Sequence, residues 1–269
     1  MLSFAGANSG AELVGRVPEL RDLQRVLADG LAGSVGVVAV VGEPGIGKTR
    51  MLGELCERSV ATGFDVLAGR GSEFEREIPY GLVVEALDER FRALETEIIE
   101  DLGRDTVTEL AAILPSLSRL GDRLTSRLEV ERFEFHRAVR ATFEMLVRDR
   151  PLLVALDDVH WADPASVELI GHLLRRPVPG MVLALAYRPR QAPHLLLSVV
   201  EQAMRDNLLH KLELAPMTIG EAAALLGRRR GSPLVRELHA ESGGNPFYLE
   251  QLARMARNDP AAPRPAAWA

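Results

Sequence analysis

Residues 37–49 read Val-Val-Ala-Val-Val-Gly-Glu-Pro-Gly-Ile-Gly-Lys-Thr, an apolar run followed by the pattern Gly-x-x-x-x-Gly-Lys-Thr. The β-branched run at 37–41 predicts a strand that is buried on both faces. Glycines permit positive φ and close approach, so the backbone amides after this strand can converge on phosphate oxygens. A helix that begins directly after them points its positive end at the same anion. The stretch therefore predicts a phosphate-binding loop between a strand and a helix.

The loop supplies most of the residues that we expect to bind a nucleotide. Lys48 is expected to reach the β- and γ-phosphates and to act in catalysis, and the Thr49 hydroxyl to hold Mg²⁺. Lysine occurs only twice in the chain, and by composition the whole pattern is expected about 0.001 times in a sequence of this length. The expected nucleotide-binding residues here are Gly42, Glu43, Pro44, Gly45, Ile46, Gly47, Lys48, Thr49 and Arg50.

A second apolar run ends in two acidic residues. Residues 151–158 read Pro-Leu-Leu-Val-Ala-Leu-Asp-Asp, which is typical of a strand whose carboxyl end lies at a ligand crevice. We expect Asp157 to face Mg²⁺ and Asp158 to orient or deprotonate the water that attacks the γ-phosphoryl group. Alone, this run could equally be an ordinary strand-to-turn boundary. Together with Lys48 and Thr49 it favours a Mg²⁺-dependent ATPase site.

The composition argues against several other classes of protein. The chain has 269 residues, 47% hydrophobic and 26% charged, with a net charge of −6. The acidic balance argues against broad binding to nucleic acid, and the single cysteine, Cys56, cannot form a disulfide within the chain. With no signal peptide and no apolar stretch of about 20 residues, we expect a cytoplasmic protein without a membrane span.

Periodicity predicts an α/β fold, a parallel sheet sandwiched by helices, with a small helical lid. Further strands are expected at 64–70, 181–187 and 209–214, and helices at 18–31 and through much of 79–150. After Pro216 the pattern changes to short helices, with a capping box formed by Thr218 and Glu221. The expected organisation is a flexible start (1–11), an ATPase core (12–216), a helical lid (217–257) and a disordered tail (258–269).

The two motifs occur with further stretches in a pattern that resembles a known family. These stretches are Leu13-Val14-Gly15-Arg16, the loop Gly42 to Thr49, Gly69-Arg70-Gly71-Ser72-Glu73-Phe74-Glu75-Arg76-Glu77 with Pro79-Tyr80-Gly81, and Leu156-Asp157-Asp158-Val159-His160-Trp161-Ala162-Asp163-Pro164. From about residue 12 to 257 the chain resembles the ATPase module of large LuxR-type bacterial regulators. Those proteins belong to the STAND class of signal-transducing ATPases, which are related to AAA+ proteins.

The resemblance implies functional residues outside the two motifs. Val14, Gly15 and Arg16 would contact the adenine, as would Pro246, and Arg188 would read the γ-phosphate. Each also has a simpler interpretation: packing of the first helix, the start of a late helix, and a solvated turn residue. For His160, in the loop after Asp158, a structural role is preferred to phosphate sensing.

The resemblance also implies a function. It implies ATP and Mg²⁺ as ligands, slow hydrolysis that resets a switch in transcription regulation, and protein partners or self-association. The family's C-terminal helix-turn-helix has no counterpart here, so direct nucleic-acid binding is not expected. The alternative function is an interaction module that binds nucleotide without hydrolysing it. GTP is disfavoured because no Asn-Lys-x-Asp segment is present.

Overall fold

A computed structural model describes residues 13–93, 101–117 and 132–258. At its centre lies a sheet of five parallel strands in the order β2-β3-β4-β1-β5. The strands are β1 (Gly36–Val41), β2 (Asp65–Arg70), β3 (Leu152–Asp157), β4 (Met181–Tyr187) and β5 (His210–Glu213). The predicted strands at 37–41, 64–70, 151–158, 181–187 and 209–214 are thus confirmed to within about two residues at each end.

Helices surround the sheet. They are α1 (Val17–Leu31), α2 (Lys48–Ala61), α3 (Gly81–Ala93), α4 (Arg104–Ala111), α5 (Arg132–Leu146), α6 (Pro164–Arg175), α7 (His194–Arg205), α8 (Ile219–Leu225), α9 (Pro233–Ser242) and α10 (Pro246–Asn258). Among the helices that the structure describes, none is both long and apolar enough to cross a lipid bilayer.

The sheet separates two layers of helices. Because successive side chains of a strand point to opposite faces, Val38 and Val40 pack with α1 and α2, while Val37, Ala39 and Val41 join the larger core with α3 to α7. All residues of β1, β3 and β4 are buried, as expected for central parallel strands covered on both faces. The predicted fold class, a parallel sheet sandwiched by helices, is confirmed.

The last three helices, α8 to α10, form what we call the three-helix unit. It has a hydrophobic core of its own, which includes Ala222, Val235, Leu238 and Leu249. The predicted capping box is present at the start of α8: the Thr218 side chain accepts from the Glu221 amide, and Glu221 accepts from the Thr218 amide. The predicted start (1–11) lies outside the described residues, as does the tail apart from Asn258, the last residue of α10.

The helix after β3 also begins as expected. Asp163 is the N-cap of α6, where its carboxylate accepts from the Ser166 amide at 2.9 Å, and Pro164 takes the first position. Asp163 accepts a further hydrogen bond from the Tyr80 amide at 3.0 Å. This contact attaches the segment before α3 to the start of α6.

A buried histidine lies in the larger core beside these residues. His136 on α5 is 7% exposed, and its Nε2 lies 3.1 Å from the Tyr80 hydroxyl. Burial and the neighbouring His172 lower the pKa of His136 from 6.5 to about 4. The imidazole of His136 therefore binds a proton less readily in the folded protein than in the unfolded chain.

We expect stability to fall as the pH drops from 7 to 5, because the unfolded chain binds protons first over this range. By pH 5, His136 should account for a loss of up to about 2 kcal/mol in the free energy of unfolding. In His136→Gln the loss should be smaller by that amount, since glutamine can pair with the Tyr80 hydroxyl but does not titrate. Urea unfolding of both proteins at the two pH values measures the difference. Equal losses would contradict the expectation.

Candidate functional site

The phosphate-binding loop, Gly42–Thr49, joins β1 to α2 at the carboxyl end of the sheet. Gly45 and Gly47 have φ of 75° and 105°, values that side chains rarely tolerate. A β-carbon on Gly47 would meet no atom within 4 Å, so the space beside it is open. Within the described part of the chain, the amides of Gly45, Gly47, Lys48 and Thr49 donate to no protein group. These amides are free donors at the start of a helix, a typical anion-binding arrangement.

Lys48 lies folded against its own loop. Its ammonium group donates to the carbonyls of Gly42 at 3.0 Å and Glu43 at 2.9 Å. Burial lowers the pKa of Lys48, and the positive charge of Arg188 lowers it further, although three nearby carboxylates oppose the shift. An anion in the loop would therefore favour the charged form of this side chain.

Thr49 and Asp157 are in contact. Thr49 follows β1 and Asp157 ends β3, and β4 lies between these two strands in the sheet. The Thr49 hydroxyl donates to Asp157 Oδ2 at 2.6 Å. Asp157 is fully buried, and this burial raises its pKa, with the charge of Asp158 adding to the shift. A hydroxyl and a carboxylate side by side are hard oxygen ligands of the kind that Mg²⁺ prefers.

Asp158 is paired with an arginine that sequence reasoning did not single out. Arg70, the last residue of β2, donates from Nε at 3.0 Å and from Nη2 at 2.8 Å to Asp158 Oδ2. This pairing is the largest cause of the raised pKa of Arg70. Within the described residues, Asp158 Oδ1 accepts no hydrogen bond, and His160 Nε2 lies 3.9 Å from it. One carboxylate oxygen is thus occupied and the other is free for a water molecule.

Arg188 follows β4, directly beside the end of β1, where Tyr187 is paired with Val41. Its Nη1 donates to Gln191 at 3.1 Å, while its Nε is buried and has no partner among the described residues. An arginine donor left unsatisfied near Lys48 is suited to an anionic ligand. The predicted role of Arg188 as a γ-phosphate sensor stays a prediction, and its position is compatible with it.

Of the predicted adenine-side residues, Arg16 contacts the loop directly. Arg16 is 5% exposed, adopts the left-handed conformation, and donates from Nη2 to the Ile46 carbonyl at 3.3 Å. Gly15 lies against Glu221 of α8, and Val14 precedes it in an irregular segment. Pro246 is the first residue of α10, whose amino end also contacts the loop. Adenine contacts by these residues remain predictions.

Three other residues near the loop differ in their contacts. Glu43 is 3.4 Å from Arg190, and Arg50 points along α2 with its Nη1 3.9 Å from Glu57. His160 is fully buried, and neither ring nitrogen has a hydrogen-bond partner among the described residues. Burial lowers the pKa of His160 to about 4, so the ring is neutral near pH 7.

Together, the parallel sheet, the loop after β1 and the acidic end of β3 define a P-loop nucleoside triphosphatase fold. Residues 12–198 match the model of the AAA ATPase domain, and the chain belongs to this family. The match includes the loop, both aspartates and Arg188.

Two curated relatives are similar over part of the chain. An uncharacterized protein of Rhizobium meliloti (strain 1021) is 30% identical over 196 residues, which cover 64% of this chain and 18% of the relative. Hybrid signal transduction histidine kinase G of Dictyostelium discoideum is 26% identical over 179 residues, which cover 61% of this chain and 5% of the relative. The chain therefore matches less than a fifth of the length of either protein.

Solved structures are similar to this chain. The ORC1 protein of Aeropyrum pernix, in complex with DNA, has a TM-score of 0.52 at 19% identity, with 97% of this chain and 65% of that chain covered. A variant of RuvB from Thermotoga maritima has a TM-score of 0.49 at 16% identity, with coverage of 91% and 62%.

We expect Arg70→Ala to lower the free energy of unfolding of the nucleotide-free protein by about 1–2 kcal/mol, because Asp158 is buried and would lose its partner. The Arg70 side chain is 55% exposed, so the cost should stay below that of a fully buried pair. In an Asp158→Asn background the same substitution should cost less. Urea unfolding of the four proteins in this double-mutant cycle measures the coupling. Additive losses would show that the pair contributes nothing.

Proposed function

We propose that this AAA ATPase domain binds ATP with Mg²⁺, hydrolyses it slowly, and acts as a nucleotide-dependent switch in a bacterial signal-transduction or transcription regulator. The observation that supports the proposal best is that Lys48, Thr49 and Asp157 lie together at the carboxyl end of the sheet. Lys48 and Thr49 follow β1, and the Thr49 hydroxyl is bonded to the acid that ends β3. A loop with free amides and an ammonium group fits a polyphosphate.

Mg²⁺ would be held by Thr49 and Asp157, whose oxygens are already adjacent. Both are hard ligands, and the raised pKa of buried Asp157 means that a nearby cation would stabilise its ionised form. When bound, the ion supplies charge neutralisation at the phosphate oxygens.

Residues of the chain would bind the phosphates and activate the attacking water. The amides of the phosphate-binding loop bind phosphate oxygens, and Lys48 exchanges its two carbonyl acceptors for the β- and γ-phosphates. Asp158 orients the attacking water through Oδ1 while Arg70 fixes Oδ2, and it can take the proton that the water loses. Arg188 donates to the γ-phosphate from its unsatisfied guanidinium.

The switch would depend on how the ATPase core and the helical lid are arranged relative to each other. We assign residues 12–216 to the ATPase core and 217–257, which contain the three-helix unit except Asn258, to the helical lid. ATP contacts to both would favour one arrangement, and a shift from 1:99 to 99:1 requires a preference of about 5.5 kcal/mol. Several charge-assisted phosphate contacts are sufficient for that. The resemblance to LuxR-type STAND regulators and the signal-transduction name of one relative support this setting.

Lys48→Ala should abolish detectable binding of Mg·ATP, because the loop loses its only ammonium group. Lys211→Ala is the matched control: it removes the chain's other lysine, which lies on β5 and pairs with Glu213 at 3.2 Å. Isothermal titration with Mg·ATP measures both. An unchanged dissociation constant in Lys48→Ala would reject the site.

Asp158→Asn should retain Mg·ATP affinity within about threefold and slow phosphate release by about a hundredfold or more, because the amide cannot accept the proton of the attacking water. Phosphate release under single-turnover conditions measures this step. Equal rates would remove Asp158 from catalysis. If the wild-type protein binds ATP but releases no phosphate, the domain is instead a non-hydrolysing interaction module.

A further inference from the structure

The outer side of the phosphate-binding loop is contacted by groups from outside the sheet. Three consecutive carbonyl oxygens each accept a hydrogen bond: Pro44 from Asn245 Nδ2 at 2.8 Å, Gly45 from the Phe247 amide at 3.3 Å, and Ile46 from Arg16 Nη2 at 3.3 Å. Two of these donors belong to the amino end of α10, in the three-helix unit. The third comes from the segment just before α1.

These contacts determine the direction of the amides on the inner side. In a planar trans peptide the carbonyl of one residue and the amide of the next point in opposite directions. A carbonyl directed at Asn245 or Arg16 therefore directs the next amide away from that donor. The amides that follow Pro44 and Ile46 belong to Gly45 and Gly47, which are among those without a protein acceptor. The outer hydrogen bonds thus orient the donors that would bind phosphate.

Because residue 45 is glycine, the direction of the loop amides depends on the hydrogen bonds that the outer side of the loop accepts. A β-carbon there would lie 2.9 Å from both Asn245 Oδ1 and Phe247 Cβ, so only glycine allows α10 to approach this closely. The absence of a side chain also lets the peptide between Pro44 and Gly45 rotate at little steric cost. Without Asn245, the Pro44 carbonyl is free to turn inward, where its oxygen would repel a phosphate.

We propose that Asn245 is a positioning residue for the triphosphate: it fixes the Pro44 carbonyl outward and so keeps the amides of the loop directed at the nucleotide. The proposal rests on the proposed function and adds a route by which the three-helix unit controls nucleotide affinity. By thermodynamic reciprocity, bound ATP must strengthen the contact of α10 with the loop by the same factor.

Asn245→Ser isolates the hydrogen bond to Pro44. Asn245 Oδ1 also accepts from the Phe247 amide at 3.1 Å and so caps α10. Serine can keep this cap without adding charge, but its hydroxyl is too short to reach the Pro44 carbonyl. We expect the dissociation constant for Mg·ATP to rise about three- to tenfold, as for the loss of one hydrogen bond, while kcat at saturating ATP stays within about twofold.

Val235→Ala is the matched control for a general loss of stability in the three-helix unit. Val235 is fully buried in the core of the three-helix unit, and it takes no part in the hydrogen bonds that join this unit to the loop. It should destabilise that unit at least as much as Asn245→Ser but change the dissociation constant for Mg·ATP by less than twofold. Equal weakening by both variants would overturn the positioning role, and so would an unchanged constant in Asn245→Ser.

Hydrogen exchange of α10 tests the reciprocal effect in the full chain. Saturating Mg·ATP should slow amide exchange in residues 247–256 of the wild-type protein, and by a smaller factor in Asn245→Ser. Equal slowing in both proteins would overturn the proposal. A wild-type protein that binds no Mg·ATP would refute the proposed function together with this inference, whereas ATP binding that ignores residue 245 would refute this inference alone.

Discussion

A backbone that binds an anion must direct its amides inward and its carbonyls outward. Of the outward carbonyls, that of Ile46 is buried and requires a partner, because an unsatisfied backbone group costs free energy when it is buried, whereas Pro44 and Gly45 are exposed. In this protein the partners come from Arg16 and from the amino end of α10. The position of the three-helix unit beside the sheet is therefore part of the structure of the phosphate-binding loop.

The fold was largely predictable from local patterns. The central strands β1, β3 and β4 are apolar runs at the predicted places, because strands buried on both faces require continuous hydrophobic residues. The edge strands β2 and β5 also lie where predicted, although β5 reads His-Lys-Leu-Glu and buries only Leu212. The start of α6 and the capping box of α8 followed from Asp163-Pro164 and from Thr218 with Glu221, whose chemistry acts within one helical turn. The order of the strands did not follow from any such pattern. Pairing of β1 with β4 and β5 depends on packing between distant segments, which periodicity does not report.

The site was predictable where its chemistry is local. The loop pattern indicated Lys48 and Thr49, and the acidic end of an apolar run indicated Asp157, which the structure places in contact with Thr49. Arg70 and Asn245 were missed in their roles because each acts on a residue far along the chain, on Asp158 and Pro44 respectively. Arg70 ends the strand next to β3, so knowledge of the strand order would have pointed to it. In the sequence, Asn245 is only the residue before Pro246, which starts α10.

The pairing of β1 also has a consequence for how the chain acquires its structure. Val37 pairs with Leu183 and Val38 with His210, so both neighbours of β1 are made about 150 residues or more after it. During synthesis the run of valines at 37–41 emerges from the ribosome long before either neighbour exists. Its apolar surface and unpaired edges are then open to wrong association, a hazard typical of parallel sheets. The sheet around β1 can therefore close on both sides only after β4 and β5 have been synthesised.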